Sequence, residues 1–204
     1  MSPFPRRLID GYRTFASQRL PTEQSRYREL SVQGQSPEVI FDVGPGELFV
    51  MRNVANLVPV YAPDDRAHGV SAALEYAVNA LRVKHVVVLG HAQCGGIRAF
   101  IDKIEPLSPG DFIGRWMSTF IKSGEKVEQR DHETMAEFTV RIEKAAIFRS
   151  LENLMTFPFV RTRVRSGELG LHGAYFGVAE GSLFVLDRQT KEFRSVRELS
   201  QADE

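Results

Sequence analysis

One stretch constrains this chain more than any other. Val86 to Gly96 reads VVVLGHAQCGG. A continuous run of β-branched and aliphatic residues, with no polar alternation, is the pattern of a strand buried on both faces in a parallel sheet. It ends in Gly90, and the glycines Gly95 and Gly96 follow before the next helical pattern. A helical pattern precedes it, with Val70, Leu74, Ala77, Val78 and Leu81 recurring three to four residues apart over 69–82. Helix, buried strand and glycine turn in that order predict α/β winding. The expected fold is a mostly parallel central sheet flanked by helices.

The rest of the chain extends this pattern. Residues 6–30 carry apolar groups at helical spacing, and Pro21 divides them into two expected short helices. These form either a cap or an arm that packs on a partner subunit. Glycines and prolines over 34–46 imply turns around a short apolar piece, Val39-Ile40-Phe41. Glu47–Met51 is expected to be a buried strand from its Val and Phe content. Helices are expected to start after Gly96, around Phe112–Ile121, and over 133–155. Residues 171–177 and 182–187 form a predicted hairpin turning at Glu180-Gly181. The expected organisation is one domain over 1–204: a helical arm (1–33), an α/β core (34–190) and a C-terminal tail (191–204).

Composition narrows the function. The chain has 204 residues with 26 Lys+Arg against 26 Asp+Glu, so its formal net charge is zero. That balance argues against a general nucleic-acid binder and against a polybasic membrane binder. No apolar run is long enough to span a bilayer. The first residues lack the apolar stretch of a signal peptide. A cytoplasmic protein is expected. Cys94 is the one cysteine, which excludes an internal disulfide framework and any Cys-x-x-Cys site.

His91 and Cys94 stand three apart where a strand meets a helix. Ligands of open α/β sheets bind beyond the carboxyl ends of strands. Imidazole nitrogen and thiolate sulfur there can converge on one metal, and glycines let the backbone approach a ligand. The plainer alternative is a small buried thiol beside a hydrogen-bonded structural histidine. Gly44-Pro-Gly46 is neither a dinucleotide fingerprint nor a P-loop, and Pro45 lacks the N–H a phosphate would want.

Three stretches together resemble the β-class carbonic anhydrases: Ser36–Pro59, His68–Val78, and Val86–Gly96 with its Gly-His-x-x-Cys-Gly-Gly. Leu171–Phe176 and Leu183–Asp187 are similar to the family's last strands. The resemblance covers most of residues 6–190. It implies a zinc enzyme that reversibly hydrates carbon dioxide to bicarbonate and is built from dimers or higher oligomers. His91 and Cys94 match two of the zinc ligands. Gln35 matches the glutamine that hydrogen-bonds bicarbonate. Phe49, Val54 and Tyr76 match apolar pocket residues, though plain core packing accounts for them equally well. Gly95 matches the position whose backbone N–H faces substrate.

The chain departs from the family pattern at one place. The family's other cysteine ligand lies in a Cys-x-Asp-x-Arg motif at the end of an earlier core strand. Here the flanks of that segment are fused through a shared Ser36-Pro37. The strand, the cysteine, the aspartate and the arginine are absent. The resemblance therefore implies a β-carbonic-anhydrase-like fold short of one core strand, with impaired turnover. The alternative is an inactive scaffold or subunit partner.

Overall fold

The computed structural model describes residues 3–23, 36–120 and 127–199. Gln35 lies outside the described residues, as does most of the second N-terminal helix expected after Pro21.

Four strands form one sheet in the order β1-β2-β3-β4: β1 (His85–His91), β2 (Gly170–Gly177), β3 (Ser182–Asp187) and β4 (Glu192–Ser195). The α/β class is as expected, but the described sheet is mixed. β1 and β2 pair in parallel, Val88 opposite Gly173, whereas β2–β3 and β3–β4 pair antiparallel. Connection length decides this. A parallel pair needs a long crossover, and among the described residues four helices supply it: α4 (Gly95–Ile101), α5 (Phe112–Ser118), α6 (Met135–Leu154) and a last one over Pro158–Arg165. The last two connections are tight turns. The first passes Gly181 at φ 60°, which confirms the hairpin at Glu180-Gly181.

Helices cover both faces. On one face Val86 and Val88 pack with Ile147, Leu151 and Leu154 of α6 and with Val160 of the helix Pro158–Arg165, which the periodicity did not reveal. Gly90 permits this close packing, because a Cβ there would lie 2.9 Å from Ile147 Cδ1. Helix α6 starts where Thr134 and Glu137 close a reciprocal capping box. On the other face Val87 and Leu89 meet Leu8, Tyr12, Phe15, Ile40 and Phe41. The first helix, α1 (Arg6–Thr14), thus packs on its own chain's sheet. The Tyr12 hydroxyl donates to the Gly181 carbonyl at 3.0 Å and accepts from Leu183 N–H at 3.1 Å.

Four expectations are corrected. Pro21 does not separate two helices before residue 23. A π-turn over Phe15–Arg19 lets Leu20 N–H reach back to the Phe15 carbonyl, and helical backbone continues to residue 23. Glu47–Met51 is not a strand, because among the described residues no neighbouring strand takes up its backbone; Phe49 and Met51 stay exposed. Val39-Ile40-Phe41, expected only as a short apolar piece between turns, is part of a helical turn. Pro37 presets a short helix, α2 (Pro37–Ile40), that tucks Ile40 and Phe41 under α1. β1 is not a fully buried central strand but the edge of the described sheet, with only Val88 and Gly90 buried. Residues 191–204 are not all tail. Glu192–Ser195 completes the sheet, and Val196 of the following short helix is 1% exposed.

Candidate functional site

The site grows from the carboxyl end of β1. His91 is the last residue of the strand, and Cys94 caps the amino end of α4. Between them Gln93 adopts the left-handed conformation at φ 57°, which turns the chain sharply enough to bring imidazole and thiol together. The imidazole and the thiol stand close enough for each to shift the other's ionisation. His91 Nδ1 lies 2.9 Å from the Ala92 carbonyl oxygen, which orients the ring.

Electrostatics follow from this contact. Cys94 raises the His91 pKa above its ordinary value, with burial opposing and the Ala92 carbonyl assisting. Burial works to raise the Cys94 thiol. His91 and the N–H groups of Ile97 and Gly96 at the helix start outweigh it together, and the thiol lies below its usual range.

Behind the pair stands a residue that the sequence analysis did not single out. Glu143, 2% exposed, accepts Cys94 N–H at 2.9 Å through one carboxylate oxygen and the Tyr175 hydroxyl at 2.6 Å through the other. Burial nonetheless lifts its pKa above the ordinary carboxylate value. One signal was available: Glu143 lies on the stripe of Ile147, Leu151 and Leu154, an acidic group on the core face of α6. Tyr175 is held above its ordinary value by burial and then by this carboxylate.

The other sequence-predicted positions lie in two small groups. The Phe49 and Tyr76 rings meet at 6.0 Å, both about half exposed. Val54 packs against Gly96, where an added Cβ would overlap a Val54 methyl; Trp116 Nε1 donates to the Val54 carbonyl at 2.8 Å. Gly95 faces open space. His68 Nε2 is 2.6 Å from an Asp64 carboxylate oxygen, and His85 pairs with His172 at 3.0 Å at the far end of the strands.

A zinc ion in a catalytic site takes three protein ligands and keeps one position open. Among the described residues no group of three His, Cys, Asp or Glu side chains is placed to hold a metal. Glu143, the acid nearest the pair, is already engaged by Cys94 N–H and Tyr175. The donors present supply two ligands of a zinc set and do not fit a complete one.

Comparison with known proteins places this geometry. Residues 35–183 match the carbonic anhydrase family. A curated relative, the chloroplastic β carbonic anhydrase 5 of Arabidopsis thaliana, is 35% identical over 150 residues, or 71% of this chain. The chain spans about half of that relative, 48% of its length. Among solved structures, the β-carbonic anhydrase CcaA superposes with a TM-score of 0.71 at 25% identity, covering 93% of this chain and 91% of that one. The β-carbonic anhydrase CafA of Aspergillus fumigatus superposes with a TM-score of 0.60 at 27% identity, covering 74% and 68%. A strand ending in an imidazole–thiol turn, on a fold shared with these enzymes, leaves one assignment: the chain belongs to the β class of the carbonic anhydrase family.

Proposed function

We propose that this chain is a β-class carbonic anhydrase with impaired hydration of carbon dioxide to bicarbonate. In this reading His91 and Cys94 are the remaining zinc ligands, and Phe49, Val54, Tyr76 and the Gly95 N–H line the substrate's place. Gln35 contacts bicarbonate. The protein is a single cytoplasmic domain that works as a homodimer or higher oligomer. Among the described residues no helix is long and apolar enough to cross a membrane.

One observation carries the reading. The imidazole and thiol meet at the strand end where this family binds metal, yet Cys94 is the chain's one cysteine and no third donor stands with the pair among the described residues. Two ligands hold a metal weakly and fix its geometry poorly. No hydration step is therefore assigned to these residues alone. Native mass spectrometry after zinc loading, with stopped-flow carbon dioxide hydration on the same sample, tests the proposal. The expected result is less than one zinc per chain and a rate well below that of a complete relative. A full zinc per chain with a relative's rate would overturn the impairment.

The second reading is a scaffold or subunit partner without turnover. The engagement of Glu143 favours it, because Cys94 N–H and the Tyr175 hydroxyl already occupy both oxygens of the acid behind the pair. A hydration rate equal to buffer, with no zinc retained, would select it.

A further inference from the structure

Each residue of a parallel strand turns its N–H and C=O to the same side, alternating along the chain. In β1 the even-numbered residues face β2. Ala92 N–H donates to the Phe176 carbonyl at 2.9 Å, and the Lys84 carbonyl accepts Gly170 N–H at 2.9 Å. His85, Val87, Leu89 and His91 therefore turn their backbone groups to the opposite edge. Among the described residues none of those groups has a backbone partner. Unpaired backbone along an apolar strand is a template for another strand. Proteins usually blunt such an edge with charge or proline, and Val86–Gly90 carries neither.

The edge also matches itself. His85-Val-Val-Val-Leu-Gly-His91 reads nearly alike in both directions about Val88. Consider antiparallel pairing with a second copy about a two-fold axis through Val88. Position 87 then meets 89 and 85 meets 91, and these outward-facing residues all fall in hydrogen-bonded pairs. The two Val88 residues meet as a non-hydrogen-bonded pair. An axis normal to the sheet keeps Val86 and Val88 on the α6 side in both copies. Register and face are both satisfied by a second β1.

We propose that the open edge of β1 is an interaction surface whose occupant is β1 of a second copy of this chain, joining two four-stranded sheets into one. This rests on the oligomer proposed above and narrows it to one surface and one register. It needs neither zinc nor turnover.

Analytical ultracentrifugation of the full chain, hydrogen–deuterium exchange at low and high protein concentration, and cross-linking of a Val88→Cys variant test it together. The expected species is a dimer of the 23.0 kDa chain. Exchange at the Val87 and Leu89 amides should slow about tenfold or more when the dimer forms. Val88→Cys should give a covalent dimer, reversible by dithiothreitol, joined 88 to 88, because Cα atoms of a non-hydrogen-bonded pair lie within disulfide reach. A monomer at every concentration would overturn this surface and the oligomer alike. A dimer that leaves the Val87 and Leu89 amides unprotected would overturn this surface alone. Protection at both amides without the 88–88 link, in a variant shown to be folded by circular dichroism, would overturn the register.

Discussion

Glu143 holds Cys94 from 49 residues further along the chain, its carboxylate accepting the Cys94 backbone N–H at 2.9 Å. The same carboxylate takes the Tyr175 hydroxyl from β2. One buried acid thus ties the candidate metal turn to the long helix and to the sheet. Sequence separation gives no hint of this, since the three residues meet only when α6 crosses the strand ends.

Glu143→Ala should therefore be costly. It leaves the Cys94 N–H and the Tyr175 hydroxyl without their partner in a buried site, at about 2–4 kcal/mol. For a chain of this size that lowers the melting temperature by roughly 5–10 °C. Glu143→Gln keeps an acceptor and should lose about half as much or less. Thermal unfolding followed by circular dichroism checks both. An alanine variant as stable as the parent would show that the network does not support the turn.

The histidine pair at the other end of the strands predicts acid sensitivity. Burial first, then His85 and Arg188, lower the His172 pKa from 6.5 to about 4. The unfolded chain therefore binds a proton that the folded chain refuses between pH 6.5 and about 4. Stability from this group is complete above 6.5, falls as pH drops through that window, and levels off below 4. The slope approaches about 1.4 kcal/mol per pH unit. His91 acts with the opposite sign, since its raised pKa adds stability at low pH that is lost as pH rises through the folded value. Comparing the parent with His172→Gln isolates the first effect. The variant should show a flatter fall between pH 6.5 and 5, and parallel curves would refute the assignment.

Gly11 is required where α1 crosses the turn after α2. A Cβ at this position would overlap the Phe41 carbonyl oxygen. Alanine raises helix propensity by about 1 kcal/mol. The forced separation should outweigh that gain, leaving a net loss of about 2 kcal/mol or more. Chemical denaturation of Gly11→Ala reads the difference. A more stable variant would mean that α1 does not pack against Phe41 in solution.

Tyr12 bridges α1 to the β2–β3 hairpin through the Gly181 carbonyl and the Leu183 N–H. Tyr12→Phe keeps the ring and removes both bonds, at about 1–3 kcal/mol. Hydrogen exchange at the Leu183 amide should speed up beyond the global change in stability. An unchanged Leu183 rate would place α1 elsewhere.

Much of the fold is legible in local pattern. The apolar run of β1 and the His-x-x-Cys turn after it can be seen directly in the sequence. So can the hairpin at Glu180-Gly181 and the long amphipathic helix, because each is set by neighbours within a few residues. The errors in strand assignment share one cause. Glu47–Met51 has strand composition, but a strand exists only if another strand accepts its hydrogen bonds, and none of the described ones does. Glu192–Ser195 has tail composition, yet the edge of β3 recruits it.

The order of residues dictates the chemistry on offer: one thiol and one imidazole three residues apart at a strand end, and no second cysteine anywhere in the chain. Only the tertiary structure decided how that chemistry is held. It set Glu143 behind the pair and left β1 at the edge of the sheet. The physical reason is that residue identity is local, whereas burial and strand pairing depend on which distant segments arrive to exclude water and complete the hydrogen bonds.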